Sequence, residues 1–164
     1  MVIPGPGEDM PSRESLILRK ACLEDTASIA GHNIATAAET EGRSLDPDTA
    51  RNGVLAIFED PSRGFYLVAE ESGRIIGQCM ITYEWSDWRN GTFWWIQSVY
   101  VVPAYRRRGI FTRLFSEISR MASGSHGVAG VRLYVDRENG LAMEAYQAMG
   151  MHRARYVMFE KEFP

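Results

Sequence analysis

Two cysteines and three histidines are all that the chain offers for thiol, imidazole or soft-metal chemistry. Cys22 and Cys79 lie far apart with no CxxC, and His32, His126 and His152 are scattered. Metal-site spacing is therefore absent, and a nucleophilic Cys–His pair has no support. Both thiols read as small apolar side chains in a reducing compartment, since two cysteines make no disulfide framework. A basic excess is missing too: 18 Lys and Arg face 21 Asp and Glu, a formal net charge of -3. A general nucleic-acid binder would normally be basic. No apolar run approaches the length of a membrane span. The opening stretch MVIPGPGEDMPSRES lacks the apolar core of a signal peptide, and its Pro, Gly and charge content predicts a flexible tail over residues 1–15. The expectation is a cytoplasmic protein with no metal and with neither nucleic acid nor membrane as a partner.

What the chain does have is enough length and apolar content for one cored domain over residues 16–164: 164 residues, 45% of them hydrophobic and 24% charged. LILR at 16–19 reads as a short strand. Leu23, Ala27, Ile29, Ala30 and Ile34 follow at helical spacing, with Asp25 or Thr26 available as N-cap. A second helix is announced by Asp46 as cap and Pro47 at the first position, with Val54, Leu55 and Phe58 as its stripe. The period then changes to that of strands, with turns at Ser72-Gly73 and Asn90-Gly91. TFWWIQSVYVV, at 92–102, is apolar at nearly every position, as a strand buried on both faces would be. Ile110, Phe111, Leu114, Phe115, Ile118 and Met121 define one helix face. VAGVRLYV is another strand, a helix runs from about Glu138 to Met149, and RARYVMFEKEF closes as a final strand. This order predicts an α/β domain around a mixed sheet.

Between strand and helix stands VYVVPAYRRRGIFTRLF, at 99–115. A helix start presents unpaired N–H groups and a partial positive charge, for which phosphate is a natural guest. Gly109 permits close backbone approach, and Arg106, Arg107 and Arg108 can add charge-assisted contacts. Plain solvated arginines are the bland alternative. The pattern is neither a Walker A loop nor a Rossmann GxGxxG.

It resembles the R/Q-x-x-G-x-G/A turn of the GCN5-related N-acetyltransferases, here Arg106-Arg107-Arg108-Gly109-Ile110-Phe111, with Phe111 in place of the small residue. NGLAMEAYQAMGM resembles a second motif of that family through Asn139, Ala142, Tyr146 and Gly150. The resemblance covers residues 16–163. It implies a single-domain fold with a central, mixed, mostly antiparallel twisted sheet flanked by about four helices. It also implies an acetyl-coenzyme A co-substrate. The backbone of Val99, Tyr100 and Val101 would pair with the pantetheine arm, and residues 107–112, including Ile110 and Thr112, would hold the pyrophosphate. Asn139 would approach the pantetheine, with Tyr146 near the sulfur.

Acyl transfer to an amine needs a stabilised oxyanion and a proton for the departing thiolate. Tyr146 suits the acid role, because a phenol of pKa ~10 stays protonated at neutral pH; the alternative is a core tyrosine. The strand before the turn offers no carboxylate. Glu84 is the candidate base, with Asp87 beside it, and each can equally be a solvated turn residue. Without a nucleophilic triad, direct transfer to a primary amine in a ternary complex is expected. Glu39, Glu41, Glu84 and Asp87 hint at a cationic acceptor, either a small molecule or a peptide amine. All four tryptophans, between Trp85 and Trp95, could line an acceptor pocket, form a homodimer contact or pack the core. A non-catalytic acyl-coenzyme A sensor is the alternative reading.

Overall fold

The computed structural model describes residues 16–163; the expected tail lies outside the described residues. The order is β1 (Leu16–Lys20), α1 (Thr26–Glu41), α2 (Pro47–Glu59), β2 (Gly64–Glu71), β3 (Arg74–Ser86), β4 (Gly91–Val101), α3 (Ile110–Ser123), β5 (Val128–Leu133) and α4 (Gly140–Ala148). The five strands lie side by side in chain order. The first three pairings are antiparallel, whereas β4 and β5 run parallel. A parallel neighbour cannot follow a hairpin, so α3 serves as the crossover. The sheet is therefore mixed and mostly antiparallel, with four helices.

Local chemistry explains the boundaries. Asp46 caps α2 by accepting from the Thr49 backbone N–H at 2.8 Å, and Pro47 occupies the first position. Ser72 and Gly73, both at positive φ, reverse the chain between β2 and β3. Asp25 stands at the head of α1, but its carboxylate is turned elsewhere. It accepts from Arg19 at 2.7 and 2.9 Å and from the Cys22 N–H at 2.8 Å, while Arg19 also reaches Glu70 at 2.7 Å. Arg19 holds the Asp25 carboxyl down to about 2.

Two apolar layers cover the sheet. Tyr66, Val68 and Ile75 pack with Ile29 and Ala30 of α1 and Val54 and Ile57 of α2. On the opposite face, Gly77 pairs with Ala69 and lies under Ile110 of α3. A Cβ on Gly77 would stand 2.8 Å from Ile110 Cγ2, so the missing side chain lets α3 begin directly on the sheet.

The chain divides into two compact units, Met1–Leu133, containing the sheet and α1 to α3, and Tyr134–Pro164, containing α4. The closing strand expected over 153–163 does not form. Those residues are in no strand, and Tyr156, Val157, Met158, Phe159 and Phe163 are exposed. Four consecutive apolar residues at 156–159 lack the alternation that assigns one face of a strand to a core.

Candidate active site

β4 changes character halfway along. Its pairing with β5 runs only from Thr92 to Ile96, after which β4 has no strand neighbour on that edge among the described residues. On its other edge, Ser98 and Val99 together oppose Cys79, a bulge in which Ser98 takes φ 48. Val102 donates to the Ile76 carbonyl of β3 at 2.9 Å. By strand alternation, Val101 and Val99 turn their N–H and C=O groups the other way, toward the edge that β5 has left. Tyr100, between them, pairs with Gln78.

The three arginines have three different settings. Arg106 Nε donates to the Val101 carbonyl at 2.9 Å, and its Nη2 meets Glu39 Oε2 at 2.6 Å. Arg107 adopts φ 65, and Arg108 lies 5.0 Å from the centre of the Tyr105 ring. Gly109, at φ 74, is the N-cap of α3 and supplies no side-chain cap. A Cβ there would meet nothing within 4 Å, so the helix start faces open space. Uncapped amides beside two arginines fit a phosphate. Phe111, the departure from the family turn, is half-buried, its ring centre 6.3 Å from that of Phe115.

Behind the bulge runs a chain of polar groups around the buried Gln78. His32 Nδ1 donates to Gln78 Oε1 at 2.9 Å, Gln78 Nε2 to Asn33 Oδ1 at 2.9 Å, and Asn33 Nδ2 to the Tyr66 hydroxyl at 3.2 Å. Gln78 is 0% exposed. Burial holds His32 below the usual imidazole range, hence neutral at pH 7. Burial also pushes the Tyr66 phenol up, opposed by hydrogen bonding with Asn33 and Ser98. In front of this chain lies a cavity of about 310 Å³ lined by Asn33, Thr36, Ala37, Thr40, Glu41, Leu45 and Ser98. Sequence reading singled out only Glu41 of these. Asn33, Thr36 and Thr40 sit at helical spacing on a polar face of α1, which reads as a solvated surface.

Glu84 lies elsewhere. It pairs with Phe93, six positions along β4 from Val99, or about 20 Å at the rise of a strand. Its Oε1 accepts from Arg132 at 2.6 Å and its Oε2 from the Trp95 indole. Asp87 accepts from the neighbouring Trp88 N–H. The tryptophans differ sharply in burial: Trp94 is 8% exposed, whereas Trp88 is 87% exposed. In the second unit, Asn139 caps α4 by accepting from the Ala142 N–H at 3.1 Å. Tyr146 lies on that helix seven positions later, about 10 Å along the axis. Burial raises its phenol above the ordinary value, so it is protonated at neutral pH.

A model of the GNAT acetyltransferase family matches residues 30–151, through both units. A solved structure of a possible acetyltransferase from Clostridium difficile 630 superposes with a TM-score of 0.85 at 43% identity, over 91% of this chain and 98% of that one. An aminoglycoside acetyltransferase, meta-AAC0020 from an uncultured soil metagenomic sample, in complex with sisomicin, gives 0.73 at 15% identity, over 92% and 98%. AAC(6')-Iy in complex with the bisubstrate analog CoA-S-monomethyl-acetylneamine gives 0.71 at 14%, over 91% and 99%. At 14% and 15% the likeness is one of fold. The chain belongs to the GNAT acetyltransferase family and is an acyltransferase of the class that uses acetyl-coenzyme A. Among the described residues, no group of three or more His, Cys, Asp or Glu could hold a metal ion. No described helix is long and apolar enough to cross a membrane.

Proposed function

We propose that this chain transfers an acetyl group from acetyl-coenzyme A to the primary amine of a small molecule, directly and within a ternary complex. The observation that carries this reading is the unpaired outer edge of β4, which leads within a few residues to the uncapped start of α3. Acetyl-coenzyme A supplies the activated acetyl thioester. The N–H groups of Val99 and Val101 donate along the pantetheine arm, and the one at the bulge is positioned to stabilise developing negative charge on the acetyl oxygen. The amides of residues 109–112, with Arg107 and Arg108 and with Arg106 once it leaves Glu39, hold the pyrophosphate. Asn139 keeps its Nδ2 for the pantetheine, since its Oδ1 caps α4. Tyr146 carries a proton at neutral pH and delivers it to the departing sulfur, and the proton shed by the attacking nitrogen restores the phenol.

Neither thiol is suited to hold the acetyl group. Cys79 is fully buried, which pushes its pKa up to about 12, and hydrogen bonding with Glu24 and Asp25 raises that of Cys22. A nucleophilic cysteine needs the opposite shift. The amine reacts from its neutral fraction, for which no strong base is required. Release of free thiol from acetyl-coenzyme A, measured across a panel of amines, tests the reading. Amine-dependent release is expected; tight coenzyme A binding without turnover would favour the sensor instead.

A further inference from the structure

The α1 side of the cavity is built from positions 33, 36, 37, 40 and 41, one continuous helix face. Its hydroxyls have a fixed sense. Thr36 Oγ1 donates to the His32 carbonyl at 2.8 Å, and Thr40 Oγ1 donates to the Thr36 carbonyl at 2.8 Å. With both protons turned into the helix, the threonines offer only lone pairs to the cavity. Glu41 can likewise only accept; Arg43, at 3.6 Å, is an exposed and weak competitor for it. Glu39 is turned away to Arg106. Ser98, one residue before Val99 at the bulge, belongs with the Asn33 end of the cavity, since both residues hydrogen-bond with Tyr66. From Asn33 to Glu41 is eight positions, about 12 Å along the helix axis.

Asn33 and Ser98 can also donate, but the stretch of wall from Thr36 to Glu41 only accepts, which selects a donor-rich group there, and its carboxylate selects a positive charge. We propose that this cavity takes a di- or polyamine, with the reacting amine at the Ser98 end and a second, charged amino group held by Thr40 and Glu41. The spacing between the two nitrogens is roughly 10 Å, set by the length of the wall. The inference rests on the acetyltransferase reading above and names the acceptor class of that site.

The test compares linear α,ω-diamines with monoamines of equal length, about four to ten carbons, using the full chain, acetyl-coenzyme A and thiol release. At the best length, kcat/KM for the diamine should exceed that for the monoamine by at least about tenfold. Glu41→Gln should shrink this ratio by about fivefold or more, and the double change Thr36→Val with Thr40→Val should shrink it as well. Glu117→Gln, which removes an equal charge from α3, should leave the ratio as it is. Unaltered melting temperatures establish that the variants are folded. Diamines and monoamines used equally well, or a ratio indifferent to Glu41→Gln, would overturn the inference while leaving the acetyltransferase reading intact. Failure to acetylate any amine would overturn both.

Discussion

Glu39 and Arg106 are 67 residues apart in the chain, and their side chains meet at 2.6 Å. The Tyr100 hydroxyl donates to the other Glu39 oxygen at 3.4 Å. The last turn of α1, which forms one end of the cavity proposed for the acceptor, is thus tied to the turn proposed to hold pyrophosphate. In the free protein, Glu39 occupies the guanidinium that a phosphate would attract. Glu39→Gln should therefore tighten coenzyme A binding by about threefold at low salt, with the gain shrinking as ionic strength rises, because the pair is exposed and screened. Calorimetry at two salt concentrations checks this. Weaker binding in the variant would mean that Glu39 serves to hold Arg106 in place for the phosphate.

Gly109 sits at φ 74, where a β-branched residue is strained. Gly109→Val should weaken coenzyme A binding by at least tenfold in a folded protein, whereas Gly109→Asn, which tolerates the left-handed region, should weaken it less. Equal affinity for wild type and the valine variant would remove the phosphate from this turn.

Tyr146→Phe keeps the ring and deletes the proton. If the phenol protonates the departing sulfur, kcat should fall by about 10²-fold or more, with little change in coenzyme A affinity. A tyrosine that merely packs predicts near-normal kcat. The decisive measurement is single-turnover kinetics, so that product release does not mask the chemical step.

Asp25 titrates at about 2 in the folded chain, below its ordinary 3.8. A depressed carboxylate stabilises the fold fully above its unfolded pKa, and the contribution is lost as pH falls through the folded value. Wild type should therefore lose about 2 kcal/mol from this source between roughly pH 4 and pH 2. Asp25→Asn should be destabilised at pH 7 and should approach wild type near pH 2. Urea titrations at both pH values measure the gap. A gap that did not narrow in acid would assign the loss to packing.

Where local chemistry decides the outcome, the sequence was readable. Asp46-Pro47 began a helix and Ser72-Gly73 closed a hairpin because capping and positive φ depend on the residues themselves. The turn around Gly109 was legible for the same reason. Glu84 shows the limit: its partners Trp95 and Arg132 come from two other strands, and nothing in its own neighbourhood reveals them. The polar face of α1 was hidden differently, since a wall of threonines aimed at a cavity has the pattern of one aimed at water. At 153–163 a strand-like composition had no alternation to give it a face. Asp25 was a reasonable cap by position, but Arg19 and Glu70 drew it into an ion-pair network instead.

Gln78 buries a primary amide in an otherwise apolar stretch of β3, and its two hydrogen bonds reach consecutive residues of α1, His32 and Asn33. Apolar contacts such as those of Ile29 and Ala30 hold a helix down but tolerate rotation about its axis. An amide with one donor and one acceptor engaged does not, because turning α1 would strand buried polar atoms. Gln78 therefore works as a key in a shaft, setting the azimuth of α1. Changes at Ile29 should alter how firmly the helix is seated, whereas changes at Gln78 should alter where Thr36, Thr40 and Glu41 point, and so, under the proposed function, which amine is preferred.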